Sequence, residues 1–403
     1  MKRSISIALA LFVALLMGVS ALAATIQPQR PVTKKKTTTK VTETTHAQKR
    51  ITRLSHSRRQ VTTRSARRRY YERFTASSFI AGDQGEGDNT AGEDPVVRAA
   101  AVDALGNMNG TVVAIDPNSG RILAMVNQKM ALAEGAQPCS TFKVAVALAA
   151  LNENVITKEQ KVSLGGSYKM DLTTALAHSN NLYFETVGRK LGFEKVSYYA
   201  HQFGLGELAG WNITGEHLGQ FPSTELAEKL GGVGKMCSFG ESISLTPLQL
   251  GALVASISNG GTLYYLQHPT SPEEITNFTP RVKRYLDIKP LIPQISDGMA
   301  GAVRYGTARL LRTNFYQEPV LGKTGTCSKD GTRFGWFGSY ADTEYGRIAV
   351  VVFLEGGRPT FGPKAAELAG KFYRNLYDHN FFAIRAPLTP VKAAQKTTGL
   401  SEQ

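Results

Sequence analysis

Cysteine is nearly absent from this chain, with only Cys139, Cys237 and Cys327 among 403 residues. They form no C-x-x-C and have no zinc-like spacing, and the seven histidines include no H-E-x-x-H, so neither a metal site nor a metal cofactor is expected. Since no cysteine precedes Cys139, lipoprotein processing at the N-terminus is excluded. There is no G-x-S-x-G elbow of the α/β-hydrolase kind, and Gly231-Gly232-Val233-Gly234-Lys235 lacks the first glycine of a P-loop. No internal repeat is found either, and no cofactor of any kind is implied.

The globular part also lacks a surplus of either charge, although the whole chain carries +15. Residues 25–75 hold 15 Lys or Arg against two acids, Lys2 and Arg3 add two more bases, and the remainder has 30 of each sign. The basic excess therefore belongs to a tail. That tail has few large apolar residues and no periodicity, which predicts a disordered tether, with anionic phospholipid or envelope polymers as alternative partners. Arg67-Arg68-Arg69-Tyr70-Tyr71 interleaves basic and aromatic groups, but an exported chain rarely meets nucleic acid, so no nucleic-acid partner is expected.

Export is read from Lys2 and Arg3 followed by an apolar run over 5–24 that ends in Ala21-Leu22-Ala23. The run is also long enough to stay as an anchor in the cytoplasmic membrane. Residues 82–94 are Gly-rich and acidic and read as a second flexible segment. The expected organisation is a signal or anchor at 1–24, a linker at 25–94, a catalytic domain at 95–385 and a flexible tail at 386–403. The expected location is the cell envelope, on the outer face of the cytoplasmic membrane.

Three motifs stand in order: Ser140-Thr141-Phe142-Lys143, Ser179-Asn180-Asn181 and Lys323-Thr324-Gly325-Thr326. An S-x-x-K arises by chance about once or twice in a chain this long and a K-T-G roughly one time in ten, so the ordered set is far more specific than its members. The apolar run 144–151 predicts a buried helix, which places Ser140 and Lys143 one turn apart on one face. A serine hydroxyl needs a base, and a lysine can be one when burial or a nearby positive charge lowers its pKa. Lys323 is a candidate for that charge, and the helix start at Ser140 offers free N–H groups to an oxyanion.

With these motifs the region 111–382 resembles the transpeptidase domain of the penicillin-binding proteins. Four further stretches fit: 111–125, Leu245 to Gly251 with Ser258-Asn259-Gly260-Gly261, Gly306-Thr307-Ala308, and Gly335-Trp336-Phe337-Gly338. The resemblance implies a serine D,D-transpeptidase acting on peptidoglycan stem peptides and acylated by β-lactams, with carboxypeptidation as the variant in which water is the acceptor. Ser140 would be the nucleophile and Lys143 its base, Ser179 the proton relay, Asn181 a ligand of the substrate amide, and Lys323 a positive charge beside Ser179. Thr324 and Thr326, flanking Gly325, would grip a terminal carboxylate, and the backbone N–H groups of Ser140 and Thr326 would form the oxyanion hole. The short interval from Ser140 to Ser179 implies a trimmed lobe, and neither a glycosyltransferase module nor a folded pedestal is expected.

The resemblance also implies that Cys139 and Cys327, which flank the first and third motifs, form a disulfide, leaving Cys237 free; three reduced cysteines are the alternative. Two rival functions remain, a serine β-lactamase and a β-lactam-binding sensor or lapsed enzyme. Against the first, Glu216 reads as a solvated loop residue, not as the base that activates a deacylating water. His178 reads as a surface or packing residue.

The expected fold is α+β, an antiparallel sheet flanked by helices with an inserted, mainly helical lobe. A hairpin is predicted over 111–115 and 121–127, helices over 172–191, 247–258 and 297–311, strands over 322–326, 333–340 and 347–355, and a last helix over 363–378. The active site would lie at the junction of sheet and lobe.

Overall fold

Two strands from the start of the domain and three from its end make one antiparallel sheet, and the helical lobe is the chain between them. The computed structural model describes residues 74–343 and 346–384. In chain order the principal elements are α1 (Pro95–Leu105), β1 (Gly110–Ile115), β2 (Ile122–Val126), α2 (Lys143–Asn152), α3 (Leu172–Ala177), α4 (Asn181–Leu191), α5 (Pro247–Ser258), α6 (Ile292–Arg304), β3 (Val320–Lys329), β4 (Thr332–Thr343), β5 (Gly346–Gly356) and α7 (Gly362–Asp378). The sheet order is β2-β1-β5-β4-β3, which leaves β3 at an edge.

Alternation assigns each face of the sheet. Val350, Val352 and Leu354 of β5 join Val112 and Ala114 of β1 in a core with α1 and α7. Ala349, Val351 and Phe353 join Val113 and Ile115 in a second core with α5 and the lobe. With both faces covered, the strands read in sequence as unbroken apolar runs. Helix starts are chemically marked. Asp94 accepts from Val96 N and Val97 N at the head of α1, ahead of Pro95. Thr246 and Gln249 form a reciprocal capping box on α5, whose residues are all buried. Burying each of its leucines is worth about 2 kcal/mol.

The α+β architecture, the hairpin, the three late strands, α5 and α7 agree with the sequence reading. Three expectations need correction. The single helix expected over 172–191 is broken into α3 and α4, because Asn180 leaves the helical path to cap α4, its Oδ1 accepting from Tyr183 N at 2.8 Å. The helix expected over 297–311 starts earlier and stops at Arg304, where Gly306 comes so close to the Ala177 carbonyl that a Cβ would lie 2.1 Å from it. Leu311 belongs to a separate 3-10 turn, Arg309–Thr313.

The third correction concerns the domain boundary. Residues 82–94 are not a free linker but are folded onto the sheet edge at β2. Asp88 accepts from Asn127 N and Gln128 N and pairs with Arg98 at 2.8 Å, and Glu93 accepts from Met125 N and faces both Arg98 and His268. The Asp88 and Glu93 side chains are almost wholly buried. The segment before residue 95 is thus packed on the domain that was expected to begin there. The export segment, the basic tail up to residue 73 and the tail 386–403 lie outside the described residues.

A chain shortened to start at residue 95 would leave Arg98 without either carboxylate. Loss of a buried partner costs about 3 kcal/mol or more. Denaturant unfolding should show that deficit against a chain starting at residue 74; equal midpoints would mean that the segment adds nothing to the fold.

Candidate active site

Ser140 sits in a 3-10 turn, Cys139–Phe142, that runs into α2 at Lys143. In such a turn residues i and i+3 eclipse, so Ser140 and Lys143 share one side as the spacing predicted. Cys139, just before Ser140, has φ +52°, and Thr141 closes the turn by donating its hydroxyl to the Pro138 carbonyl at 2.7 Å. Ser140 is half-buried, and among the described residues its hydroxyl makes no hydrogen bond. Strand β3 presses on this turn. A Cβ at Gly325 would stand 2.7 Å from the Pro138 carbonyl, so glycine is what lets the two backbones meet.

Cys139 and Cys327 are joined in a disulfide with a Cα separation of 5.6 Å, as the resemblance implied, and it fastens the same turn to the same strand. Trp336 Nε1 donates to the Gln137 carbonyl at 2.9 Å and holds the approach to the turn from β4. Cys237 is free and wholly buried, which pushes its thiol pKa far up and keeps it unreactive.

Ser179 closes α3 in the left-handed region, with φ +55°. Its N–H bonds back to Leu176, and Asn180 N bonds back to Ala175, before Asn180 caps α4. This tight reversal aims Ser179 and Asn181 at the same point, the Lys143 amine. Lys143 Nζ donates to the Ser179 carbonyl at 2.7 Å, to Ser179 Oγ at 3.1 Å and to Asn181 Oδ1 at 2.6 Å. It makes no such bond to the Ser140 hydroxyl. From the other side Lys323 Nζ donates to Ser179 Oγ at 2.8 Å and to the Thr324 carbonyl at 3.0 Å.

Both amines are buried, at 0% and 2% exposure. Burial first, and the neighbouring Lys323 charge second, lower Lys143 to about 6, with Glu185 pulling weakly the other way. Burial lowers Lys323 to about 7. Lys143 can therefore be neutral near pH 7 and accept a proton. When both amines are protonated the Ser179 hydroxyl receives from each, which occupies both lone pairs and leaves its own proton free to point outward.

Thr324 and Thr326 alternate with Lys323 and Gly325 and so share the opposite face of β3. Their environments differ. Thr324 is 4% exposed and its hydroxyl is paired with that of Thr307 at 2.6 Å, whereas Thr326 is exposed and accepts from Gly362 N at 2.8 Å. Thr307 is a site residue to which the sequence reading gave no role, and Gly306-Thr307-Ala308 ahead of K-T-G was the available signal. Its N–H also donates to Ala177, tying the Ser179 segment to β3. A cavity of about 720 Å³ opens beside this end of β3, with Gln137, Thr326, Cys327 and Ser328 in its walls.

Two neighbouring expectations resolve differently. His178 is exposed and packs on Tyr305, with ring centroids 5.7 Å apart, as a surface residue should. Glu216 is partly exposed but is not a free loop carboxylate. Its carboxylate accepts from Ala209 N at 2.8 Å and Gly210 N at 3.0 Å and staples its own loop, and burial raises its pKa.

A family model described as the penicillin binding protein transpeptidase domain matches residues 110–378. Stage V sporulation protein D of Bacillus subtilis is 27% identical over 322 residues, covering 65% of this chain and 48% of that protein. The peptidoglycan D,D-transpeptidase MrdA of Acinetobacter baumannii is 24% identical over 375 residues, covering 73% and 55%. The chain thus spans about half the length of these curated relatives. Among solved structures, the D,D-transpeptidase domain of a peptidoglycan glycosyltransferase from Eggerthella lenta superposes with a TM-score of 0.59 at 20% identity, over 72% of this chain and 82% of that one. Pseudomonas aeruginosa PBP2 gives 0.58 at 24%, over 71% and 74%, so the fold is shared.

Titration of the lysine amines by NMR should find Lys143 changing protonation near pH 6. In Lys323→Met the repelling charge is gone while burial stays, so the Lys143 midpoint should move up yet remain below the ordinary lysine value. A Lys143 midpoint in the range of surface lysines would mean that it cannot act as a base at neutral pH.

Proposed function

The chain belongs to the penicillin-binding protein transpeptidase family, and on that footing we propose that it is a serine D,D-transpeptidase acting on peptidoglycan stem peptides through an acyl-enzyme at Ser140. The observation that carries this reading is the Ser179 hydroxyl bracketed by two buried amines, one of them a turn away from a half-buried, unbonded serine. Ser140 Oγ attacks the carbonyl of the penultimate D-alanine while neutral Lys143 takes its proton. The developing oxyanion is held by the N–H groups of Ser140 and Thr326, each such donor worth about 3 kcal/mol in the transition state.

Collapse of the tetrahedral intermediate breaks the C–N bond. The departing D-alanine amine takes its proton from Ser179, whose O–H faces outward and is resupplied through the adjoining amines. Lys323 keeps positive charge beside this relay, Asn181 holds the substrate amide with the end not engaged by Lys143, and the Thr326 hydroxyl donates to the terminal carboxylate, with Thr324 and Thr307 behind it. An amine from a second stem peptide then attacks the ester and regenerates Ser140. A β-lactam enters the same path but keeps its leaving group tethered, so it stays attached.

The stapling of Glu216 to Ala209 and Gly210 counts against a β-lactamase that activates water through that residue. The envelope, outside the cytoplasm, is the place where such a substrate exists, and the N-terminal segment and basic tail would hold the domain near the membrane.

Benzylpenicillin should add its full mass at Ser140 and stay for hours. Ser140→Ala should abolish the adduct while leaving the protein folded, and Lys143→Ala should slow its formation by about 10³-fold or more. Normal labelling of Ser140→Ala would refute the mechanism, and decay within seconds would assign the chain to the β-lactamases instead.

A further inference from the structure

The first described residues form a strap over the loop that leaves β5, and that loop reaches Thr326. Thr75 N donates to the Arg358 carbonyl at 2.8 Å and the Thr75 hydroxyl accepts from Arg358 N at 3.1 Å. Ser78 Oγ accepts from Gly357 N at 2.9 Å and pairs with the Thr360 hydroxyl at 3.0 Å, both side chains wholly buried. On its far side the same loop ends in Gly362, whose N–H donates to Thr326 Oγ1.

The loop has no slack between these contacts. A Cβ at Gly357 would lie 2.4 Å from the Thr75 side chain, and one at Gly362 would lie 2.7 Å from the Gly325 carbonyl and 2.9 Å from Thr326 Oγ1. Gly335 of β4 is pressed equally closely against the Phe361 backbone. Displacing the strap side of such a loop displaces its other side, because close-packed backbone has nowhere to absorb the shift.

We propose that the strap residues Thr75 and Ser78, acting through Thr360, are positioning residues for the carboxylate grip. By fixing Gly362 N on the Thr326 oxygen they turn the Thr326 proton outward, toward the ligand. This rests on the reading of Thr326 as the group that holds a terminal carboxylate. Without the clasp the Thr326 hydroxyl rotates, and a lone pair meets the carboxylate in place of a proton.

The test compares acylation by benzylpenicillin with acylation by its methyl ester, which lacks the carboxylate. The full-length wild type should prefer the acid, and Thr326→Val should lose that preference. Thr360→Val keeps shape but removes the hydroxyl from Ser78, and it should lower the acid-to-ester rate ratio by about fivefold while the ester rate holds. Thr360→Ser should restore the ratio. An unchanged ratio in Thr360→Val, or equal slowing of acid and ester, overturns the proposal. Should Thr360→Val not fold, the exposed Thr75→Val must lower the ratio in the same direction, and failure to do so is equally decisive. A wild type that forms no adduct at all overturns the proposed function itself, and this inference with it.

Discussion

Lys143 and Lys323 share one hydrogen-bond partner, the Ser179 hydroxyl, and among the described residues neither has a carboxylate within hydrogen-bonding reach. Two like charges buried around one neutral group are costly, since desolvation disfavours each and the Lys323 charge further disfavours that of Lys143. The protein's response is to release a proton at moderate pH, and the released state is a free amine beside Ser140. The unprotonated amine that the proposed activation of Ser140 needs thus follows from burial, with the second lysine adding to the effect. Much of the surrounding structure serves to maintain that burial, from Phe184 beneath the Lys143 amine to the apolar α2 behind it.

Holding the two amines together requires three separate pieces of chain to meet at the sheet edge. The turn at Ser140 meets β3 through the Gly325 contact and the Cys139–Cys327 bond. The Ser179 segment meets it through Thr307, which bonds to Ala177 on one side and to Thr324 on the other. The loop before α7 meets it through Gly362. The turn and the loop come onto opposite faces of the sheet here, the turn where a Gly325 Cβ would point and the loop where a Cβ of Gly335, the partner of Thr326 on β4, would point.

Several of these features were readable from the sequence and several were not. Strands β4 and β5 and helix α5 were legible because continuous apolar runs, a capping pair and a proline at the helix start are local signals. The break at Ser179 was not, because the apolar periodicity continues across it and the left-handed residue is a serine, not a glycine. Residues 82–94 misled by composition: Asp88 and Glu93 looked solvated, but their partners include Arg98 and His268, the latter brought close only by folding. The spacing of Ser140 and Lys143 was correctly legible, whereas the actual hydrogen-bond partners of the lysine come from a helix end about forty residues away in sequence.

The geometry around Ser179 also bears on which acceptor the proposed acyl-enzyme prefers. Once Lys143 holds the Ser140 proton both amines can donate to this hydroxyl oxygen, and the proposed proton traffic then runs through its outward O–H, out to a leaving amine and back from an incoming one by microscopic reversibility. An acceptor amine approaching along the leaving group's path meets this relay directly. Water attacking from the other face would need a second base, and Glu216, the acid considered for that task, spends its oxygens on Ala209 N and Gly210 N. On the proposed mechanism, the relay beside Ser140 thus serves an incoming amine more directly than an attacking water.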